Sequence, residues 1–117
     1  MSSVKAPYCP DEGEFVWIDF NPQAGHEQAG RRPALVLSPA IYNRPARLCV
    51  VCPITSRVKN YPFTVLIPAG LSVTGAVLAD QVKSLSWPVR NVALIGHAPP
   101  SLVAEVRGKL KALLRIL

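Results

Sequence analysis

The sequence predicts a mainly β domain, a small and strongly curved barrel-like sheet with one helix packed on it. Three observations predict it. Short runs rich in β-branched and aromatic residues recur at short spacing. Twelve prolines punctuate those runs. Beyond residue 100 the apolar residues change period from two to steps of three and four, the signature of an amphipathic helix.

The elements follow in order. Residues 14–20 (Glu-Phe-Val-Trp-Ile-Asp-Phe) are β-branched and aromatic and predict a strand. Residues 21–32 then predict a loop, longer than the two to five or so residues usual in a hairpin, and long loops tend to carry function. Residues 33–37 predict a second strand, with Pro33 confined to its start because it has no N–H for a ladder. Residues 38–43 suggest a helical turn, and 47–53 a continuous apolar strand of the buried, central kind. Residues 55–60 form a polar turn. Strands are expected at 63–67, 75–79 and 92–96.

In the last segment Leu102, Val103, Val106, Leu110, Leu113, Leu114 and Leu117 line one helical face. Ser101 is its expected N-cap, with Pro99 and Pro100 as breakers before it. Lys109, Lys111 and Arg115 suit the negative end of its dipole.

With 117 residues, half of them hydrophobic, residues 1–117 make one domain with a real core and exclude a disordered tail. No stretch reaches the length of a membrane-spanning helix, and the first residues hold no apolar signal core, which predicts a cytoplasmic chain with no membrane partner. The net charge is +6, and its distribution matters more than its size. Residues 28–79 carry Arg31, Arg32, Arg44, Arg47, Arg57 and Lys59 and not one acid, whereas Asp11, Glu12, Glu14 and Asp19 all precede them. One part of the surface is therefore positive, which favours a polyanionic partner over a merely solvated basic face.

The three cysteines, an odd number, argue against a disulfide framework. Cys49-x-x-Cys52 resembles a redox or zinc half-site but lies in a strand, where residues three apart face opposite sides. Both are expected to be small packing residues. Neither these thiols nor His26 and His97 offer metal-ligand spacing, so no metal or other cofactor is expected.

The chemistry concentrates in Gly25-His26-Glu27-Gln28-Ala29-Gly30-Arg31-Arg32-Pro33. A carboxylate beside guanidinium groups is suited to metal-free RNA cleavage, in which a base takes the proton of the ribose 2′-OH and cations stabilise the phosphorane. Glu27 supplies the base, and Arg31 and Arg32 the fork-shaped cations that match phosphate oxygens. Thr55 and Ser56 add hydroxyl donors, and Arg57 and Lys59 extend the cationic track. By spacing alone, however, the commoner meaning of Glu27 and Arg32 is a surface salt bridge on a polar loop. Trp17, Phe20 and Trp87 are available to stack on bases, although alternation puts Trp17 and Phe20 on opposite faces, so at least one is core.

Taken together, several segments resemble the MazF/PemK family of toxin endoribonucleases, nearest its MazF branch. They are Val16-Trp17-Ile18-Asp19-Phe20-Asn21-Pro22; Gly25-x-Glu27-Gln28-Ala29-Gly30-x-Arg32-Pro33-Ala34; Val36-Leu37-Ser38-Pro39 with Tyr42-Asn43; Pro53, Thr55 and Lys59-x-Tyr61-Pro62-Phe63; and Leu78-Ala79-Asp80-Gln81-Val82-Lys83-Ser84 with Trp87. The resemblance covers nearly the whole chain. It implies an SH3-like barrel of about seven short strands (the CcdB/PemK toxin fold) with a C-terminal α-helix, in a homodimer. It implies metal-independent cleavage of single-stranded RNA at a short sequence, leaving 2′,3′-cyclic phosphate and 5′-OH ends and so inhibiting translation. It also implies a MazE-type antitoxin whose acidic tail fills the RNA groove, with operator DNA bound only through the toxin–antitoxin complex.

By that pattern Glu27, Arg32 and Thr55 are catalytic, and Arg31, Gln28, Ser56, Arg57, Lys59, Gln81 and Lys83 contact RNA. Gln81 and Lys83 are equally well explained as polar residues of a sheet edge. Arg31 stands where close relatives can carry histidine, so it reads as a phosphate binder. Two other readings are compatible with the residues: a CcdB-like toxin that binds gyrase without catalysis, and a plain nucleic-acid-binding barrel. The C-terminal Leu113-Leu114-Arg115-Ile116-Leu117 does not resemble the end through which the gyrase poisons act.

Overall fold

A computed structural model describes residues 7–21, 30–58 and 60–117. Seven strands form one antiparallel sheet: β1 (Glu14–Asp19), β2 (Arg31–Val36), β3 (Cys49–Thr55), β4 (Thr64–Leu66), β5 (Ala76–Leu78), β6 (Lys83–Leu85) and β7 (Ala93–His97). Helix α1 (Ala40–Ala46) joins β2 to β3, and helix α2 (Pro100–Leu114) ends the chain. The strand order is β4-β5-β3-β2-β1-β7, with β6 also paired to β3. The sheet curls as a barrel does but stays open, with β4 and β7 at the two ends of that order. No described helix is long and apolar enough to cross a membrane.

β3 is the hub. Its first half pairs with β6 (Cys49↔Leu85, Val51↔Lys83) and its last residues with β5 (Ile54↔Val77, Thr55↔Ala76). Pro53 stands where the partner changes. The Leu37 N–H donates to the Val50 carbonyl at 2.8 Å, so even-numbered residues of β3 direct their backbone groups at β2 and odd-numbered ones away from it. The N–H that Pro53 lacks would therefore point into the gap between β6 and β5, where no ladder needs it.

The apolar residues divide between two cores, as strand alternation requires. Phe15, Leu35, Cys52, Ile54, Val65 and Val77 pack with Leu102, Val103 and Val106 of α2. Val16, Ile18, Phe20, Ala34, Val36, Cys49 and Val51 pack with Leu85 and Trp87. Cys49 and Cys52 thus lie in different cores, as the spacing required, and burial pushes both thiols from the ordinary 9.0 up to about 12. Of the two aromatics at 17 and 20, Phe20 is core and Trp17 is partly exposed.

Several expectations need correction. β2 begins at Arg31, so both arginines are strand residues rather than loop residues, and Pro33 is the third residue of the strand. Pro33 is tolerated because the β2–β3 ladder starts only at Ala34↔Pro53. β6 was not foreseen, being three residues long between two 3₁₀ turns. α2 starts at Pro100 with Pro99, not Ser101, as its N-cap residue. Its apolar face is buried only at Leu102, Val103 and Val106; Leu113 and Leu114 are exposed. Trp87 is no stacking platform. It is 4 % exposed, and its Nε1–H donates to the Asn43 carbonyl at 2.9 Å.

Candidate RNA-cleavage site

The site is built at one end of the β2–β3 pair. Ala34 faces Pro53. Two residues further along each strand stand Arg32 and Thr55, so the register brings them level at the open end of the pair. Successive strand residues face opposite sides, so Arg31 and Arg32 leave β2 on different faces of the sheet. Arg31 lies on the face of Trp17, with its guanidinium carbon 5.5 Å from the ring centroid, and its Nε donates to the Asn91 carbonyl at 3.3 Å. Alternation sets Arg32 on the side of Ala34 and Val36.

Thr55 is 7 % exposed, and its Oγ1 accepts the Arg57 N–H at 3.1 Å. A hydroxyl that accepts a backbone N–H keeps its own proton for another acceptor. Ser56 and Arg57 follow at once and are exposed. Arg32 and Ser56 also line a cavity of about 330 Å³, together with Trp17, Pro33, Ile54, Ser72, Val73, Thr74 and Ile95. Lys83 begins β6 opposite Val51, and Gln81 closes the 3₁₀ turn before it. Glu27, Gln28 and Lys59 lie outside the described residues.

One contributor was missed in the sequence. Gly75 has φ +114°, and a Cβ there would run into the Thr55 carbonyl oxygen and crowd Ser56. Only glycine lets this backbone approach the hydroxyl pair so closely. The signal was a glycine at the start of an apolar triplet, which had suggested nothing more than a strand end.

The stem of residues 22–29 is hydrogen-bonded on both sides. Phe20 N–H donates to Gly30 O at 2.9 Å, and Gly30 N–H donates to Asn21 Oδ1 at 3.0 Å. In the segment between β3 and β4, Tyr61 donates its hydroxyl to Asp80 Oδ2 at 2.9 Å, and that bond pushes its phenol up. The strand ends therefore gather Arg32, Thr55, Ser56 and Arg57. Such a group suits a polyanion whose phosphate must be held by cations and hydroxyl donors. Among the described residues no three His, Cys, Asp or Glu side chains come together in a metal-holding group.

Comparison with known proteins places the arrangement. Residues 11–114 match the model of the PemK-like, MazF-like toxins of type II toxin–antitoxin systems. The chain is 42 % identical over 107 residues to the endoribonuclease toxin MazF of Escherichia coli K12, covering 92 % of this chain and 96 % of that protein. Its fold superposes on MazF from Deinococcus radiodurans with a TM-score of 0.91 at 56 % identity, covering 94 % of this chain and all of that one. A chain of the MazE–MazF complex from the same organism gives 0.82 at 51 % identity, over 92 % of this chain and 97 % of that one.

Proposed function

The chain belongs to the PemK-like, MazF-like toxins of type II toxin–antitoxin systems, and on that premise we propose that it cleaves single-stranded RNA by attack of a ribose 2′-OH on the adjacent phosphate. It is an endoribonuclease toxin of the MazF type, and it acts at a short sequence without a metal. The observation that carries the mechanism is the placement of Arg32 and Thr55 two residues beyond the Ala34↔Pro53 pair on their strands, with the threonine oxygen accepting the Arg57 N–H and so free to orient its own proton outward.

Glu27 takes the 2′-OH proton. The 2′-oxygen forms its bond to phosphorus while the bond to the 5′-oxygen breaks, and the departing 5′-oxygen takes a proton from water. The products carry a 2′,3′-cyclic phosphate and a 5′-OH. The Arg32 guanidinium stabilises the charge that builds on the phosphorane, and Thr55 donates to a non-bridging oxygen. Arg31, Ser56, Arg57, Lys59, Gln28, Gln81 and Lys83 bind the flanking RNA. A positioned base is worth about 10²–10⁴-fold in rate.

The partners follow from the same chemistry. The basic stretch at 28–79 suits both RNA and the acidic tail of a MazE-type antitoxin, and it leaves operator DNA to the complex of the two. The exposed Leu113, Leu114, Ile116 and Leu117 at the end of α2 support a homodimer, and cleavage of mRNA places the toxin in the cytoplasm.

Purified protein incubated with a long RNA gives discrete fragments with 2′,3′-cyclic phosphate ends, undiminished by EDTA. A 2′-deoxy nucleotide at the cut abolishes cleavage, because the nucleophile is gone. Cleavage that survives that replacement, or RNA that is bound and never cut, would sink the proposal.

A further inference from the structure

Residues 90 and 91 grip both strands where β1 ends and β2 begins. Arg90 Nη1 donates to two backbone carbonyls of the departing chain, Asp19 at 3.0 Å and Asn21 at 2.7 Å. The Asp19 N–H returns a bond to the Arg90 carbonyl at 2.9 Å, so each residue holds the other. On the β2 side the Asn91 carbonyl accepts Arg31 Nε at 3.3 Å. Within the departing chain Asp19 Oδ1 accepts the Asn21 N–H at 2.9 Å, and across the stem Asn21 Oδ1 accepts the Gly30 N–H at 3.0 Å.

The grip is itself anchored. The Arg90 N–H donates to the Trp87 carbonyl at 3.2 Å, and Trp87 is buried in the second core. Asn91 adopts φ +52°, a conformation that costs a non-glycine residue energy and is kept only where its surroundings fix it. Arg90 Nε is buried without a hydrogen-bond partner. An arginine that spends its donors on backbone carbonyls and leaves one buried N–H unmet is costly for packing alone. What it secures is the last three residues before 22–29 and the first two after, and Arg32 is the next residue of β2.

We propose that Arg90 is a positioning residue for RNA cleavage: by clasping the β1–β2 stem it holds Arg32 at the reacting phosphate. This rests on the cleavage reaction proposed above. Strand ends fray when their terminal pairs are unsupported, and a displacement of about 1 Å at a catalytic group costs on the order of 10²-fold. Arg90→Lys keeps the charge but replaces the planar guanidinium, whose Nη1 meets both carbonyls, with a flexible ammonium.

The test is a double-mutant cycle in steady-state cleavage of a short RNA with one cut site, at a temperature well below every variant's Tm. Arg90→Ala is expected to lower kcat roughly 10- to 100-fold and leave KM within about threefold, with Arg90→Lys intermediate. In an Arg32→Ala background the same change is expected to cost less than about threefold, since the group it positions is gone. Val106→Ala, a core change on α2 away from the stem, controls for lost stability and is expected to keep the wild-type kcat. Wild-type kcat in Arg90→Ala would overturn the proposal. So would equal losses with and without Arg32, or a matching loss in Val106→Ala. A fully active Arg32→Ala would instead remove the catalytic role of Arg32, and the positioning role with it.

Discussion

The β2–β3 pair ends in two polar clusters built on opposite rules. Just past the end of β2, Asn43 is fully buried, and its side chain is matched on every side. Its Nδ2 donates to the carbonyls of Pro10 at 2.8 Å and Ser38 at 2.9 Å, and its Oδ1 accepts the Ser38 hydroxyl at 2.6 Å. Ser38 Oγ then accepts the Val50 N–H at 2.7 Å, and Trp87 donates to the Asn43 carbonyl. The network closes on itself and ties α1, β3 and the N-terminal residues into one body. At the other end Thr55 uses one acceptor on the backbone and keeps a donor, and Ser56 and Arg57 stand exposed beside it. Polar groups that satisfy one another hold a fold, whereas groups with donors to spare hold a ligand. Both clusters lie in segments typical of the family, so a motif match by itself does not separate them.

The comparison breaks if substitutions at the two ends have the same consequences. The largest effect is expected at the open end: Arg32→Ala should slow cleavage about 10²–10⁴-fold, with urea unfolding unchanged within about 0.5 kcal/mol. An equal loss of stability would make Arg32 a structural residue. Next comes the closed end. Asn43→Ala leaves the Ser38 hydroxyl without its acceptor and the Pro10 and Ser38 carbonyls without this donor, and should cost about 3 kcal/mol in unfolding free energy, while each folded molecule keeps its kcat.

Thr55→Val sharpens the contrast, because it keeps the shape and removes the donor. A roughly 10- to 100-fold drop in kcat with normal Tm is expected, since a hydrogen bond to a charged group is worth about 1.5–3 kcal/mol. A drop of less than twofold would exclude the hydroxyl from the reaction. The smallest effect is expected from the buried thiols. Burial raises Cys49 and Cys52 from 9.0 to about 12, so the folded state keeps protons that the unfolded state loses between those values. Stability is then complete below about pH 9 and falls by about 1.4 kcal/mol per pH unit per thiol above it. Denaturant titrations at pH 8 and 10 measure that slope, and Cys49→Ala should reduce it.

Much of this was legible in the residues. The alternation of β1 and the continuous apolar run of β3 located both strands, and the three-residue spacing of Cys49 and Cys52 predicted opposite faces. The change of period after residue 100 located α2. Arg32 and Thr55 were named from a motif, and the register brings them level. The clasp by Arg90 and the close approach of Gly75 carried no signal, because each depends on segments distant in the chain. Trp87 was misassigned for the same reason, since a tryptophan's surroundings are set by whatever packs on it.

The sequence by itself determined which residues alternate, which face inward and which segment is helical, because those follow from backbone periods of two and 3.6 over a few neighbours. Only the tertiary structure decided where each strand stops and which face stays open. Arg31 came to lie over the Trp17 ring because β2 begins two residues earlier than its proline suggested. The last turn of α2 stayed exposed because the core it packs on reaches no further than Leu110. Register and the reach of a core are long-range quantities, fixed by pairing and packing between segments tens of residues apart.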